Sequence, residues 1–292
     1  PHTVLKTSSG KIRRSAVREL YERGDLGQGS RAVWWQFTRL ALASIGPHLR
    51  RLQSRTREAA YAQWARLIVC LLAPIVWLGA VALPSLDLRW RFTRGGIRLV
   101  LRLTGIKITT AGLERLPDSE PVVLVANHAS YLDGPALIAA LPDPLVIVAK
   151  SELGKRFIPR LLVQRLGMHL VERLDRIQGK EDAGATIEIL REGRSLVFFP
   201  EGTLIRSPGL LPFHLGAFVA AAETGTPVYP LLIKGTRSVL RGGEWYPRRA
   251  PIHIELGEPL RVDGSGWNAA LALRDAARAQ MLAALCEPDL SD

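Results

Sequence analysis

The sequence predicts an α/β fold, with a mostly parallel central sheet flanked by helices and an N-terminal membrane-associating helical segment. Three observations predict it. From about residue 93 onward, short apolar runs alternate with helical patterns, the rhythm of strand–helix–strand units in a parallel sheet. Ahead of that region lie two apolar, Trp-containing segments, 33–49 and 67–83. A hydrophobic share of 47% over 292 residues is that of a core-forming chain, long enough for one large domain with extensions. The expected organisation is a short leading piece at 1–26, a linker with membrane-associating helices at 27–95, and the main domain at 96–292.

The chain opens on Pro1 without a signal-type segment, as expected of a piece of a longer protein. Lys6-Thr7-Ser8-Ser9-Gly10-Lys11-Ile12-Arg13-Arg14 resembles the last motif of acyl-adenylate-forming ligases, over about residues 3–23. The resemblance implies that Lys11 matches a lysine that contacts the adenylate, and that a fatty acid–CoA/ACP ligase is fused upstream. Leu5 stands where that motif often has Pro. No Gly lies five positions before Gly10, so the stretch is not a phosphate-binding P-loop, and a basic solvated tail is the alternative.

Residues 24–31 read as a linker. Segment 33–49 carries Arg39, Pro47 and His48, whereas 67–83 has no charged residue and holds Pro74, Trp77 and Gly79. At 17 residues, 67–83 is at the lower edge of spanning length. Arg66 precedes it and Arg89, Arg91, Arg94 and Arg98 follow it, so flanking charge gives no orientation. A ligase using ATP needs the cytosol, and a domain fused to it is expected to share that side of the membrane. The expectation is therefore a hairpin of the two segments, or interfacial helices whose arginines snorkel to headgroups, on the cytosolic face of the inner membrane. A helical pair packed on the domain is the alternative.

Charge narrows the partners. Lys and Arg number 39 against 27 Asp and Glu, a formal net of +12. That balance suits a polyanion, and the apolar neighbours of the basic residues favour a membrane surface over nucleic acid. No zinc-type Cys/His spacing and no RNA-binding signature appears, so no nucleic-acid partner and no metal are expected. Cys70 and Cys286 lack spacing partners, which fits a reducing compartment.

In the main domain the strand-like runs are 121–126, 145–149, 169–171, 195–199, 228–233 and 252–255. Helical patterns fall at about 135–141, 154–166, 180–192, 214–224 and 268–285. His128 follows the first run, at the carboxyl end of a strand, where open α/β sheets place their ligands. Asp133 comes five residues later. Five helical steps leave a net rotation of about 140°, and five strand steps point to opposite faces. Only a curled loop brings the carboxylate to the imidazole. Asp133, ahead of Gly134-Pro135, is alternatively a helix N-cap, and the roles can coexist. A neutral imidazole, with an ordinary pKa of about 6.5, suits a general base, and a carboxylate would orient it. Ser130, in the same loop, is the alternative of a serine acyl-enzyme.

Two blocks carry a second resemblance: Asn127-His128-Ala129-Ser130-Tyr131-Leu132-Asp133, with its H-x4-D spacing, and Phe199-Pro200-Glu201-Gly202-Thr203. In this order and separation they resemble the glycerolipid (PlsC-like, lysophosphatidate) acyltransferase family. A middle block of Lys150-Ser151-Glu152-Leu153, Gly167 and Glu172-Arg173 is similar to the family's, with Glu172 replacing the commoner Asp. Residues 228–233 resemble its late strand, read here as core. The likeness spans about 105–240. It implies an O-acyltransferase of the 1-acylglycerol-3-phosphate kind, with His128 and Asp133 catalytic. Lys150, Arg173, Glu201, Gly202, Thr203 and Arg206 would meet the acceptor, Glu201 by accepting hydrogen bonds from its hydroxyls. Arg206 is displaced, because Leu204-Ile205 stand between it and Thr203. The implied partners are a lysophospholipid acceptor, by default 1-acyl-sn-glycerol-3-phosphate, and acyl-CoA or acyl carrier protein as cosubstrate, with no bound cofactor. Alternatives are another lysolipid acceptor, such as lysophosphatidylethanolamine or an ornithine-type lipid, or a non-catalytic membrane-recruiting module.

Overall fold

The computed structural model of the chain describes residues 14–22, 29–141, 144–171 and 176–291. The chain divides into two units, Pro1–Ala60 and Tyr61–Asp292. In the first, α1 (Arg14–Glu22) carries an exposed Arg18–Glu22 ion pair one turn apart. The ligase-like residues 6–13 lie outside the described residues.

The long helix α2 (Gly29–Ala82) corrects the hairpin expectation. Both apolar segments fall on it, with no turn between them. Residues 50–66 are rich in Arg, Gln, Glu and Ala, which favour helix, and hold no Gly or Pro to reverse the chain. Pro47 removes one helical hydrogen bond without forcing a turn. The stretch Gly46–Ala82 is long and apolar enough to cross a membrane, by length and composition.

The turn comes at 83–85, followed by α3 (Leu86–Thr104). Its first turn is capped by the Ser85 hydroxyl, which accepts from Leu88 N–H, and Gly105 at φ +69° ends it. Small residues let α2 and α3 approach: a Cβ on Gly79 would overlap Phe92, and one on Gly96 would overlap Val76. Trp64 Nε1 donates to the Leu103 carbonyl at 3.1 Å. Trp90, Thr93 and Thr104 turn inward on α3, while Leu88, Phe92, Leu99 and Leu103 remain exposed. On α2, Ala62, Ala65, Ile68 and Ala80 are buried, and Leu67, Leu71, Ile75 and Leu78 are exposed.

Among the described residues the sheet has seven strands: β1 (Ile108–Ala111), β2 (Val123–Ala126), β3 (Val146–Lys150), β4 (His169–Val171), β5 (Leu196–Phe198), β6 (Val228–Lys234) and β7 (Ile252–Leu256). Their order is β1-β7-β6-β2-β5-β3-β4, and every pairing is parallel except β6–β7. The mostly parallel sheet is as expected. Six strands match the apolar runs, while β1, a four-residue edge strand with three exposed positions, gives too weak a pattern to be read.

The remaining helices are α4 (Asp133–Ala140), α5 (Phe157–Arg165), α6 (Arg176–Arg191), α7 (Gly216–Thr224), α8 (Thr236–Val239) and α9 (Trp267–Leu285). The alternation of β2 assigns them to faces. Leu124 and Ala126 join the core that holds Ala136, Leu137 and Trp90, and Val123 and Val125 join the core that holds Phe218, Ala221 and Leu273. So α3 and α4 cover one face, and α7 and α9 the other. The connection leaving β2 passes over β5 to β3, and the one leaving β5 passes back over β2 to β6. Right-handed crossovers in opposite directions require opposite faces, which opens a crevice at the carboxyl ends of β2 and β5.

Candidate active site

His128, just past β2, and the turn after β5 meet in that crevice. The buried strand must first end without leaving unpaired polar groups. Asn127 does this with its side chain: Oδ1 accepts from Ile233 N–H at 2.7 Å and Nδ2 donates to Ile233 O at 3.0 Å. The pair extends β2–β6 bonding by one step and fixes where the loop leaves the sheet. This role was not read from the sequence. The available signal was a buried amide directly after four buried apolar residues.

The loop then curls as the five-residue spacing requires. Asp133 Oδ2 accepts the His128 Nδ1–H at 2.9 Å, Ala129 N–H at 2.7 Å and Ser130 N–H at 2.8 Å. Asp133 is fully buried, and its Oδ1 meets no hydrogen-bond partner among the described residues. It is the first residue of α4 rather than its N-cap, which is Leu132. Its charge still gains from the helix N-terminus. A carboxylate only accepts, so Nδ1 carries the proton and the lone pair of Nε2 is presented as a base. The imidazole packs on Phe199 with ring centroids 4.5 Å apart and is about a quarter exposed, 25%.

Ser130 is fully buried, and its hydroxyl donates to the Leu240 carbonyl at 2.6 Å while accepting from Leu132 N–H. Both functions of that hydroxyl serve the loop, which argues against an acyl-enzyme on Ser130.

Glu201 is nearly buried and both its oxygens hold backbone. Oε1 accepts His128 N–H at 2.7 Å and Oε2 accepts Leu211 N–H at 3.0 Å. Burial pushes its carboxyl above the ordinary value of 4.5, opposed by those two N–H groups. Each oxygen thus spends one of its acceptor positions on backbone. The carboxylate braces the two loops against each other. Gly202 makes the brace possible: at φ +73° its N–H donates to Phe199 O and closes the turn. Thr203 follows, exposed.

The other predicted residues are spread around this centre. Lys150 ends β3 at the same carboxyl edge, partly exposed. Arg206 is exposed, and its Nε donates to Gly242 O at 2.7 Å, leaning on the loop that follows α8. Arg173 lies outside the described residues. No three His, Cys, Asp or Glu side chains cluster as metal ligands among the described residues.

The basic residues after the apolar run are engaged in the fold. Arg94 and Arg98 donate to the Ile138 and Ala139 carbonyls at the C-terminal end of α4, favourable placement for cations at a helix C-terminus. Arg89 donates to the carbonyls of Leu83, Pro84 and Arg165, and Arg66 to that of Trp245. These four arginines donate to backbone carbonyls within the fold.

A His–Asp pair able to act as an oriented general base and a glycine turn thus share one carboxyl edge of an α/β sheet. The family model described as Acyltransferase matches residues 107–234. A chloroplastic 1-acyl-sn-glycerol-3-phosphate acyltransferase of Brassica napus is 31% identical over 156 residues, 53% of this chain and 45% of that one. The 1-acyl-sn-glycerol-3-phosphate acyltransferase of Borreliella burgdorferi is 31% identical over 145 residues, 50% of this chain and 58% of its own. The alpha form of Mus musculus is 28% identical over 220 residues, 71% and 76% of the two chains. The crystal structure of the 1-acyl-sn-glycerophosphate acyltransferase PlsC from Thermotoga maritima shares the fold, with a TM-score of 0.63 and 21% identity, over 79% of this chain and 95% of that one. Over residues 107–234 this α/β domain is thus similar to acyltransferases of the 1-acyl-sn-glycerol-3-phosphate kind. The chain spans about half the length of the first two of these relatives.

Proposed function

We propose that this chain is an O-acyltransferase that moves a fatty acyl group from acyl-CoA or acyl carrier protein to the hydroxyl of a lysophospholipid. The default acceptor is 1-acyl-sn-glycerol-3-phosphate, in phospholipid synthesis or remodelling. The observation that carries the reading is the His128 Nδ1–Asp133 Oδ2 bond of 2.9 Å at the mouth of the crevice. Nε2 takes the proton of the acceptor hydroxyl as its oxygen attacks the thioester carbonyl carbon. The tetrahedral intermediate collapses with cleavage of the C–S bond, and the imidazolium returns the proton to the departing thiolate. Asp133 holds the tautomer and stabilises the imidazolium, and no covalent acyl-enzyme is needed. Lys150, Arg173 and Arg206 supply cations for the acceptor phosphate, and Gly202 and Thr203 shape its seat.

The exposed apolar side chains of α2 and α3 support membrane association, where the lysolipid resides. In this reading the domain works on the cytosolic face of the inner membrane, beside its soluble thioester donor. The motif at residues 6–14 supports an upstream acyl ligase that would hand activated fatty acid to this domain.

The test is acyl transfer by the purified chain in detergent, with labelled acyl-CoA or acyl carrier protein and a panel of lysolipids, beside His128→Ala. Transfer to lysophosphatidate that disappears in the variant is expected. Transfer that survives in the variant overturns the mechanism, and vesicle binding without transfer by the wild-type chain would favour a recruiting module. A second acceptor class, lysophosphatidylethanolamine or an ornithine-type lipid, is motivated by Leu204-Ile205 and by Arg206 leaning on Gly242. It is favoured if transfer occurs but lysophosphatidate is ignored.

A further inference from the structure

The last residues of the chain grip the loop that braces the candidate base. After α9, Cys286 caps the helix at φ +53°. Glu287 Oε2 then accepts Gly209 N–H at 2.8 Å, while its Oε1 accepts from Arg237 Nη1 at 2.7 Å, in a largely buried ion pair. Leu210 is clamped on both sides, its N–H donating to Pro288 O at 2.9 Å and its carbonyl accepting Leu290 N–H at 3.1 Å. Arg278 ties the two together, donating to Leu210 O at 3.0 Å and pairing with Asp289. Leu290 also packs over Gly209, where a Cβ would overlap it.

The residue after this clamp is Leu211, whose N–H is held by Glu201, and the other oxygen of Glu201 holds His128 N–H. A continuous path of hydrogen bonds runs from the C-terminal tail to the backbone of His128. A second branch leaves the Glu287 carboxylate through Arg237 on α8. The carbonyl of Leu240, directly after that helix, accepts the Ser130 hydroxyl inside the His128 loop. We propose that the tail, Glu287 to Leu290, is a latch that positions the base: it fixes Leu210-Leu211, and through them the Glu201 brace and the height of His128 over the crevice. The latch rests on the reading of His128 as the base of acyl transfer. None of its tail residues lies within the acyltransferase match at 107–234. Without the latch the 207–212 loop loses its anchors, Leu211 N–H leaves Glu201, and one half of the brace is gone.

The test is a double-mutant cycle in the full chain, read by acyl transfer and by amide exchange. Glu287→Ala is expected to lower kcat by about tenfold, the order expected for losing charge-assisted hydrogen bonds, and to leave the KM for the acyl donor within about twofold. In a Glu201→Gln background the same substitution is expected to lower kcat by a clearly smaller factor, because the path through Leu211 is already cut and only the Arg237 branch remains. Amide exchange is expected to quicken both in 207–213 and in 127–131. Equal falls in kcat in both backgrounds, an unchanged kcat, or faster exchange confined to 207–213 would overturn the latch. Exchange needs no turnover, so it decides the latch even if the wild-type chain transfers no acyl group and the functional reading fails. Melting temperature checks folding, and if Glu287→Ala does not fold, Glu287→Gln carries the same cycle.

Discussion

Glu201 Oε1 accepts the backbone N–H of His128 at 2.7 Å, joining residues 73 positions apart in sequence. The two motifs are thereby one structure. One supplies a base oriented by Asp133, and the other supplies a buried carboxylate that fixes the backbone from which the base projects. The bond can form because β2 and β5 are adjacent parallel strands and both loops leave from the same edge.

Glu201→Gln should weaken this junction more than its small change in shape suggests. Glutamine keeps one acceptor, but its amide group faces the second backbone N–H, donor against donor. Leaving one buried N–H unpaired costs about 1–3 kcal/mol. The relief of burying no charge offsets part of this. The expected outcome is a modest loss in denaturant unfolding together with a fall in kcat of about tenfold or more, both measured on the same sample. A kcat unchanged from wild type would show that His128 does not depend on the brace.

Asp133 and His128 should separate when stability and rate are compared. Asp133 is buried and holds three donors, so Asp133→Asn should lower the melting temperature and, by loosening the tautomer, cut kcat by about 10³-fold or more. The His128 ring is part-exposed, and its loop is held by backbone contacts. His128→Ala should therefore abolish transfer while shifting unfolding free energy by less than about 1 kcal/mol. Equal melting losses in the two variants would contradict this division of labour.

Much of this arrangement was legible in the sequence, for identifiable reasons. Strands β2, β5 and β6 are buried on both faces, so they read as continuous apolar runs, and His128 and Glu201 follow such runs directly. Helix α3 was not legible because its arginines resemble a membrane flank. Their use as donors to the carbonyls of α4 depends on a neighbour distant in sequence. The dual grip of Glu201 was hidden for the same reason, since a motif gives residue types and not the directions of their oxygens. The uninterrupted course of α2 through 50–66 is visible in retrospect from helix-favouring composition, which hydropathy alone overlooks.

The pH dependence of stability should carry the sign of a raised carboxyl. Burial, with the nearby Glu287 charge, holds Glu201 above 4.5, against the pull of two N–H groups. The folded chain then keeps this proton at pH values where the unfolded chain has released it. Stability from this group is greatest below 4.5, falls as pH rises through the raised value, and is level above it. Asp289 has the opposite sign: its Arg278 partner holds it below 3.8, so its contribution is present above 3.8 and is lost as pH falls below that. Urea unfolding of wild type and Glu201→Gln between pH 4 and 8 isolates the first effect. The wild type should lose stability relative to the variant as pH rises from 4.5, and a relative gain would contradict the raised value.

The arginines should fall into two groups when vesicle binding and stability are measured together. Arg94 and Arg98 donate to the carbonyls that end α4, so Arg94→Gln with Arg98→Gln should lower the melting temperature and leave membrane affinity nearly unchanged. Arg50, Arg51, Arg55 and Arg57 are exposed on α2, ahead of its most apolar stretch. A basic residue near an anionic surface contributes about 1 kcal/mol. Changing these four to Gln should reduce binding to anionic vesicles by at least about tenfold, with little effect on neutral vesicles or on melting. Leu71→Asp with Leu78→Asp, on the exposed apolar face, should weaken binding to both kinds of vesicle, since about 1.5–3 kcal/mol accompanies burial of each leucine. Binding that followed Arg94 and Arg98 instead would mean that those side chains leave the α4 carbonyls at the membrane, and that α3 serves lipid before it serves the site.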